Sequence, residues 1–234
     1  MKLVIMQPYF FPYVGYFSLC EIADTFVIYD DVNYIKKGWV NRNNFFSMTG
    51  PQRFTLPISK ASQNTRICDL YLLSLGESKT KFFKMLSHTY AKAPYFKPVM
   101  ALLASIFDFN KALLADFLVQ ALVKTIDYLG ISVNIIRSSQ CKLGDGLTGE
   151  ARIIAITRSL QAKNYINAIG GRELYSDSTF EEQGITLKFL KHKETDYRQF
   201  SNEHTPYLSI IDVLMFNSPD EAMRIVKNYE LING

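Results

Sequence analysis

Two adjacent carboxylates, Asp30 and Asp31, follow a short apolar run and are the clearest candidates for acid–base chemistry. Such a pair can hold an ammonium group, two sugar hydroxyls or a divalent cation, and one carboxylate can act as a general base where burial favours its neutral form. Because neighbouring strand residues point to opposite faces, we expect only one of the two side chains to enter a site. A solvated turn is the structural alternative.

Polar and aromatic side chains also crowd the segment from residue 7 to residue 16. The segment joins a predicted strand to a predicted helix, so backbone N–H groups at the helix start can bind a phosphate or a carboxylate. A glycine within it lets a ligand or a strand approach the backbone closely. A loop that merely caps the sheet would not require so many polar tips. The candidate binding residues are therefore Gln7, Tyr9, Tyr13, Gly15 and Tyr16.

The one tryptophan of the chain is followed closely by an arginine between two asparagines. An arginine fork suits phosphate or carboxylate, and asparagine amides recognise hydroxyl or amide edges. A surface strand that pairs with its own turn is the structural alternative. The candidate binding residues of this segment are Trp39, Asn41, Arg42 and Asn43.

Further candidates follow two later predicted strands. Arg137, Ser138 and Ser139 come directly after a buried-type apolar run, and Arg152 opens the next helix, so together they can form a second anion site. Tyr165 and Asn167 belong to the next apolar run and reach the same edge of the sheet if that strand is parallel.

Several common catalytic motifs are absent from the sequence. It contains no Gly-x-Ser-x-Gly, no glycine-rich P-loop and no dinucleotide-binding fingerprint. The three histidines are isolated and lack metal-ligand spacing, so no metal site is predicted. The three cysteines are far apart in the sequence, which favours a reduced, cytoplasmic setting.

The elements that must position these residues begin with a strand over 2–6, a helix over about 13–23 with Pro12 in its first turn, and a strand over 25–29. This order predicts a βαβ unit with a right-handed crossover, whose two strands end at the same edge of the sheet. Ligands bind at that edge in open α/β folds. The opening segment is therefore expected beside the acidic pair.

Strands and helices alternate along the rest of the chain, which predicts one α/β domain with a largely parallel sheet. An antiparallel hairpin is predicted over 40–47 and 53–58, with 65–72 as a third strand, and a helical insertion at about 76–130. The other predicted elements are helices over 78–92, 95–109, 111–129 and 150–162 with breaks at Asn110 and Gly130, strands over 131–136, 164–168 and 185–190, and a last helix opened by a capping box at 218–221.

The composition is that of a globular protein with a sizeable core. Of 234 residues, 48% are apolar and 21% are charged, which excludes a disordered tail or a fibre. A net charge of +4 is too small to predict DNA binding and suits a substrate that carries phosphate. No apolar run is long enough to span a bilayer, so no membrane insertion is expected.

The order of these segments resembles the WbqC-like family, which is encoded in bacterial surface-polysaccharide clusters. The resemblance runs nearly end to end, over 6–16, 29–31, 39–43, 90–96, 138–139, 152, 165–167, 170–171, 175 and 208–212. Some of these clusters make O-antigens that bear a glycyl-substituted amino sugar. The resemblance therefore implies transfer of a glycyl, other aminoacyl or acyl group onto the amine of a nucleotide-linked sugar, a small-molecule substrate.

The implied reaction assigns roles to the candidate residues. A sugar amine must lose a proton as it attacks an acyl carbon, so Asp30 or Asp31 would accept that proton, with His204 as a weaker alternative. Backbone N–H groups at 13–15 would stabilise the oxyanion. The remaining implied roles are pyrophosphate binding by Arg42 and Arg152 and stacking on the base or sugar by Tyr9 or Trp39.

The opening βαβ unit is also similar to the start of nucleotidylyltransferases such as pantothenate synthetase. Those enzymes carry His-x-Gly-His where this chain has Tyr-Val-Gly-Tyr at 13–16, and tyrosine supplies no positive charge to a transferred phosphate. Two alternatives stay open: an ATP-dependent ligase that first adenylates the amino acid, with ATP as its cofactor, and a non-catalytic sugar-nucleotide-binding or assembly subunit. A binding module would tolerate loss of Asp30, Asp31 and His204, whereas an enzyme would not.

Overall fold

The centre of the protein is a six-stranded sheet, seen in a computed structural model that describes residues 1–62, 64–108, 112–141 and 143–234. A separate two-stranded antiparallel sheet lies outside it. The strands are β1 (Lys2–Met6), β2 (Thr25–Ile28), β3 (Arg42–Phe45), β4 (Gln52–Thr55), β5 (Asn134–Arg137), β6 (Asn164–Ala168), β7 (Thr186–His192) and β8 (Tyr229–Asn233).

Helices cover both faces of the central sheet. They are α1 (Val14–Ile22), α2 (Leu75–Tyr90), α3 (Phe96–Phe107), α4 (Leu114–Leu129), α5 (Ser138–Cys141), α6 (Gly149–Ser159), α7 (Asp177–Glu182), α8 (Ile210–Phe216) and α9 (Pro219–Val226). Among the described residues, no helix is both long enough and apolar enough to cross a bilayer.

The strand order is β5-β2-β1-β6-β7-β8, and every pairing except that of β7 with β8 is parallel. Strand β1 lies between β2 and β6, with Val4 opposite both Phe26 and Ile166. The middle of β1 and all of β2 are buried because helices cover both sides, which explains their unbroken apolar runs. The five parallel strands end together at what we term the carboxyl edge.

The two faces of the sheet bury different sets of side chains. Val4 and Phe26 point to the side covered by α1, where Phe17 is buried, whereas Leu3 and Val27 point to the side covered by α6 and α7. Helix α1 leads from β1 to β2, while α6 leads to β6 on the other side of β1. The direction of strand addition therefore reverses between β1 and β6, which is where a ligand crevice forms in such sheets.

Aromatic side chains fill the core between the opening segment and the helices α2 to α4. The ring of Phe82 is completely buried, with centroid distances of 5.5 Å to Phe10, 4.7 Å to Phe54 and 5.6 Å to Phe107. Buried rings in tilted and edge contacts of this kind contribute to stability through both area and geometry. Much of the high aromatic content is thus core packing.

The predicted α/β fold with a largely parallel sheet, an opening βαβ unit and an antiparallel hairpin is confirmed. The prediction of a third hairpin strand over 65–72 is wrong, because Ile67–Asp69 forms a 3₁₀-helix flanked by isolated bridges. Pro12 precedes α1, whose N-cap is Tyr13. The strand β8 was not predicted, and the predicted break at Asn110 lies outside the described residues.

Candidate functional site

Five charged side chains interlock where β2 and β5 reach the carboxyl edge, and we term Asp30, Asp31, Asp116, Arg137 and Arg152 the charged cluster. Arg137 donates from Nε to Asp30 Oδ2 at 2.7 Å and from Nη1 to Asp116 Oδ1 at 2.5 Å. Arg152 donates from Nη2 to Asp31 Oδ2 at 2.5 Å. Three carboxylates face two guanidinium groups, so the charged cluster carries one excess negative charge.

The two predicted serines complete the hydrogen bonding of the acidic pair. Ser138 Oγ donates to Asp31 Oδ1 at 2.6 Å, and Ser139 donates to Asp30 from its backbone N–H at 3.1 Å and its hydroxyl at 2.8 Å. The two carboxylates do not point to opposite faces as expected, because both contact the Ser138–Ser139 pair. Strand β2 ends at Ile28 and the chain then turns, so the alternation of a strand no longer separates the two side chains.

The guanidinium of Arg152 is engaged by the protein itself. It lies 4.9 Å from the centre of the Tyr29 ring and donates to the Leu143 carbonyl as well as to Asp31. Burial is the largest single effect and opposes its charge, but the hydrogen bonds and charge interactions with Asp31 and Tyr29 together outweigh it and raise the pKa of Arg152. A guanidinium held in this way fixes the position of Asp31. It has few donors left for the pyrophosphate that the resemblance assigns to it.

Tyrosines continue the carboxyl edge from Tyr29 towards β6. The ring of Tyr165 stacks on Phe180 at 5.5 Å and meets Tyr175 edge-on at 5.8 Å. Its hydroxyl is buried with no hydrogen-bond partner among the described residues, and burial raises its pKa well above the ordinary value. Asn167 is also buried, with its Oδ1 accepting from the Ala168 N–H at 2.7 Å. Asn167 thus lies near this edge, whereas Tyr165 is the second residue of β6, opposite Leu3; both are largely enclosed.

The start of α1 also faces the carboxyl edge, and no side chain caps it. A Cβ on Gly15 would lie 2.5 Å from the Tyr13 ring, so the glycine admits that ring rather than the ligand or strand expected from the sequence. Tyr16 is buried and donates its hydroxyl to the Gln7 carbonyl at 2.9 Å. Tyr9 tilts against Tyr16 at 5.8 Å and remains partly exposed.

The asparagines of the 39–43 segment fasten the protein backbone. Asn41 donates to the Leu56 carbonyl at 2.7 Å, and Asn43 donates to the carbonyls of Phe10 and Phe11. This arrangement holds the opening segment against β3 and leaves neither amide free to recognise a substrate. The other two members differ from each other: Arg42 donates to the Gly38 and Lys37 carbonyls, whereas Trp39 is 43% exposed and lies 5.8 Å from the Arg53 guanidinium.

The segment 193–209, which joins β7 to α8, carries His204. The ring of His204 lies edge-on to Tyr197 at 4.8 Å, beside the buried carboxylate of Asp212. Asp212 accepts from Tyr90 at 2.7 Å, from Tyr197 at 2.6 Å and from Gln199 at 2.7 Å. Among the described residues, His204 shares no hydrogen bond or salt bridge with the charged cluster, so the structure does not bring it to Asp30 and Asp31.

Two cavities lie along this segment. The larger, of about 640 Å³, is lined among others by Lys92, Arg198 and Phe200. The smaller, of about 40 Å³, is lined by residues of the α1 start and of the segment. Tyr197 and His204 line both cavities.

Sequence reasoning missed His192, which ends β7 at the carboxyl edge and lines the smaller cavity with Tyr13 and Val14. Its Nδ1 lies 3.1 Å from Ser18 Oγ. No local motif indicates this pair, because Ser18 and His192 are 174 positions apart in the sequence. The pattern that could have found it is the position of a histidine at the end of a parallel strand.

Comparisons with known proteins cover almost the whole chain. The model of the WbqC-like protein family matches residues 7–224. An uncharacterized protein of Mycobacterium tuberculosis is 30% identical over 224 residues, which span 94% of this chain and 95% of that protein. No solved structure matches the chain significantly.

Proposed function

Because the chain belongs to the WbqC-like protein family, we propose that it transfers a glycyl, other aminoacyl or acyl group to the amine of a nucleotide-linked sugar in surface-polysaccharide synthesis. The donor in this proposal is an activated acyl ester or thioester. The acceptor lies along the carboxyl edge, from the charged cluster past β1 to the end of β7.

The observation that carries the proposal is the uncapped start of α1 beside a cavity that two histidines line. Backbone N–H groups at a helix start can stabilise the negative oxygen that develops when an amine attacks an acyl carbon. A neutral imidazole can remove the proton that the amine must lose. Acyl transfer to an amine needs both functions within one small site.

The charged cluster has a positioning role in this proposal. The oxygens of Asp30 and Asp31 already accept hydrogen bonds from an arginine and from serines, so the protein itself holds both side chains in place. The excess negative charge suits hydroxyl donors of the sugar. We therefore assign Asp31 to orienting the acceptor and leave proton transfer to a histidine.

The test is a transfer assay with purified protein, UDP- and dTDP-linked amino sugars, and either acyl and glycyl thioesters or glycine with ATP. Mass spectrometry of the sugar nucleotide should show one added acyl group with an activated donor in the absence of ATP. UDP-glucose, which has no amine, is the matched substrate control. Thermal shift measures binding in parallel, since a ligand at a hundred times its Kd adds about 2.7 kcal/mol of stability.

Three other results of this assay would contradict the proposed transfer. Product formed from glycine only when ATP is present would indicate the adenylating ligase. Binding of the amino-sugar nucleotide without transfer from any donor would indicate a binding or assembly subunit. A protein that neither binds nor modifies these sugars would overturn the assignment of substrate.

A further inference from the structure

The hydrogen bonds around Ser18 determine where the proton of the His192 ring lies. Ser18 Oγ is 2.6 Å from the Val226 carbonyl oxygen and 3.1 Å from His192 Nδ1. A carbonyl has no hydrogen to give, so the single hydroxyl hydrogen of Ser18 must point at Val226. The contact with His192 is then a bond in which Nδ1–H donates to the serine oxygen. The other ring nitrogen, Nε2, is left with its lone pair.

The surroundings of His192 keep its ring neutral. Burial lowers its pKa, and the nearby carboxylate of Glu194 acts in the opposite direction without reversing the shift. The other titratable groups around it are uncharged phenols and a histidine, and no lysine or arginine lines the cavity among the described residues. These groups are Tyr13, Tyr197, His204 and Tyr207 in the cavity and Tyr229 opposite on β8.

The position of the ring matches what an attacking amine requires. His192 lines the smaller cavity with Tyr13 and Val14, at the N–H groups proposed to hold the oxyanion. That cavity has room for one small group such as an amine, and Tyr197 and His204 line both it and the larger cavity. An acceptor that follows the carboxyl edge to the end of β7 would present its amine there.

We propose that His192 is the general base of the transfer and that Ser18 is the positioning residue that fixes its tautomer; this inference rests on the proposed function. As the amine nitrogen bonds to the acyl carbon, its proton passes to His192 Nε2 and the carbonyl electron pair moves onto the oxygen. Collapse of the tetrahedral species breaks the bond to the thiol or alcohol of the donor. That leaving group takes the proton from Nε2, which restores the neutral ring.

The first experiment compares His192→Gln with His88→Gln, since His88 is an exposed histidine of α2 that lines neither cavity. In His192→Gln we expect kcat/KM to fall by about 100-fold or more, with the thermal shift caused by the sugar nucleotide preserved. The acid limb of the pH–rate profile should disappear. His88→Gln should behave as the unaltered protein, and Ser18→Ala should show a smaller loss with a displaced acid limb.

A second measurement reports on the ring without requiring turnover. Nitrogen-15 NMR of the folded protein should show the Nδ1–H tautomer for His192 and loss of that preference in Ser18→Ala. Dominance of the Nε2–H tautomer would overturn the inference, as would a His192→Gln protein that transfers at the normal rate or a His204→Gln protein that alone loses the acid limb. If the unaltered protein transfers nothing from any donor, the proposed function fails and the base role fails with it.

Discussion

Asp30 is completely enclosed, and polar groups of the protein replace the water that its side chain loses. Arg137 and Ser139 point hydrogens at its oxygens, Ser138 directs its single hydroxyl hydrogen to Asp31, and Arg137 extends the contact to Asp116 on α4. An enclosed ion pair adds little net stability compared with apolar packing, but losing one partner leaves the other charge buried without compensation. These residues therefore fix local geometry.

Asp30→Asn should accordingly destabilise the protein by about 3–5 kcal/mol, because Arg137 would keep its charge with one fewer carboxylate beside it. Urea denaturation of the variant and the unaltered protein measures the difference. Asp69→Asn is the matched control, since Asp69 pairs with Arg66 at 2.7 Å while both side chains are about half exposed. That exposed pair should contribute at most about 1 kcal/mol. Equal losses in the two variants would contradict the enclosed character of the Asp30 pair.

Gly15→Ala should affect binding more than stability. The new methyl group would displace the Tyr13 ring from the first turn of α1, and the gain in helix propensity of roughly 0.5–1 kcal/mol would offset the disturbance. We expect a nearly unchanged denaturation midpoint together with weaker binding of the sugar nucleotide in thermal shift. Gly76→Ala in the first turn of α2 is the control, because open space surrounds that position. If Gly15→Ala bound the sugar nucleotide as the unaltered protein does, the Tyr13 ring would have no part in binding.

At the scale of elements, the irregular segment 193–209 depends on one buried carboxylate. Asp212 in α8 accepts from Tyr197 and Gln199 of the segment and from Tyr90 at the end of α2. Gln199 also exchanges hydrogen bonds with the backbone of Thr205. Asp212 thereby joins two helices to the segment that carries His204 and lines both cavities.

The same carboxylate should make stability depend on pH. Burial raises the pKa of Asp212 above its ordinary value of 3.8, so between that value and the raised one the folded state binds more protons than the unfolded state. Stability from this group is therefore fully present below 3.8 and decreases as pH rises through the raised value. The difference in unfolding free energy between the unaltered protein and Asp212→Asn should shrink as pH increases. A difference that stays constant with pH would show that Asp212 titrates as in water.

Local sequence patterns predicted the strands and helices that are buried along a continuous apolar run. They missed the elements that form only through contact with residues distant in the sequence. The strands β1 and β2 are unbroken apolar runs around a helix, so the βαβ unit and its acidic pair at the carboxyl edge could be predicted. Strand β8 has the sequence Tyr-Glu-Leu-Ile-Asn, which lacks regular alternation, and it becomes a strand through pairing with β7. The Ser18–His192 contact depends on how α1 crosses the sheet, which no nearby residue indicates.

At the scale of the whole molecule, the antiparallel strand β8 protects the side of the sheet at which β7 would otherwise be open. The ladder runs from Lys188 opposite Asn233 to His192 opposite Tyr229. An exposed strand edge is a template for pairing with another chain. Strand β8 therefore shields the strand that carries His192.

Removal of residues 228–234 should lower stability and promote self-association, because the hydrogen-bonding groups of β7 would lose their partners. Light scattering and size-exclusion chromatography of the shortened and full chains measure the effect. Leu231→Ser is the control, since Leu231 is 38% exposed and its backbone pairing with Leu190 would remain. A shortened chain with the same hydrodynamic size and stability as the full chain would contradict this role of β8.

The central position of β1 sets an order of events during synthesis on the ribosome. Its neighbour β2 emerges within the first thirty residues, but β6, its neighbour on the other side, begins at Asn164. Until then the nascent chain holds an apolar strand with one side unpaired, and transiently exposed strands of this kind are prone to aggregate. The central sheet can therefore be completed only late in translation, after β6, β7 and β8 have emerged.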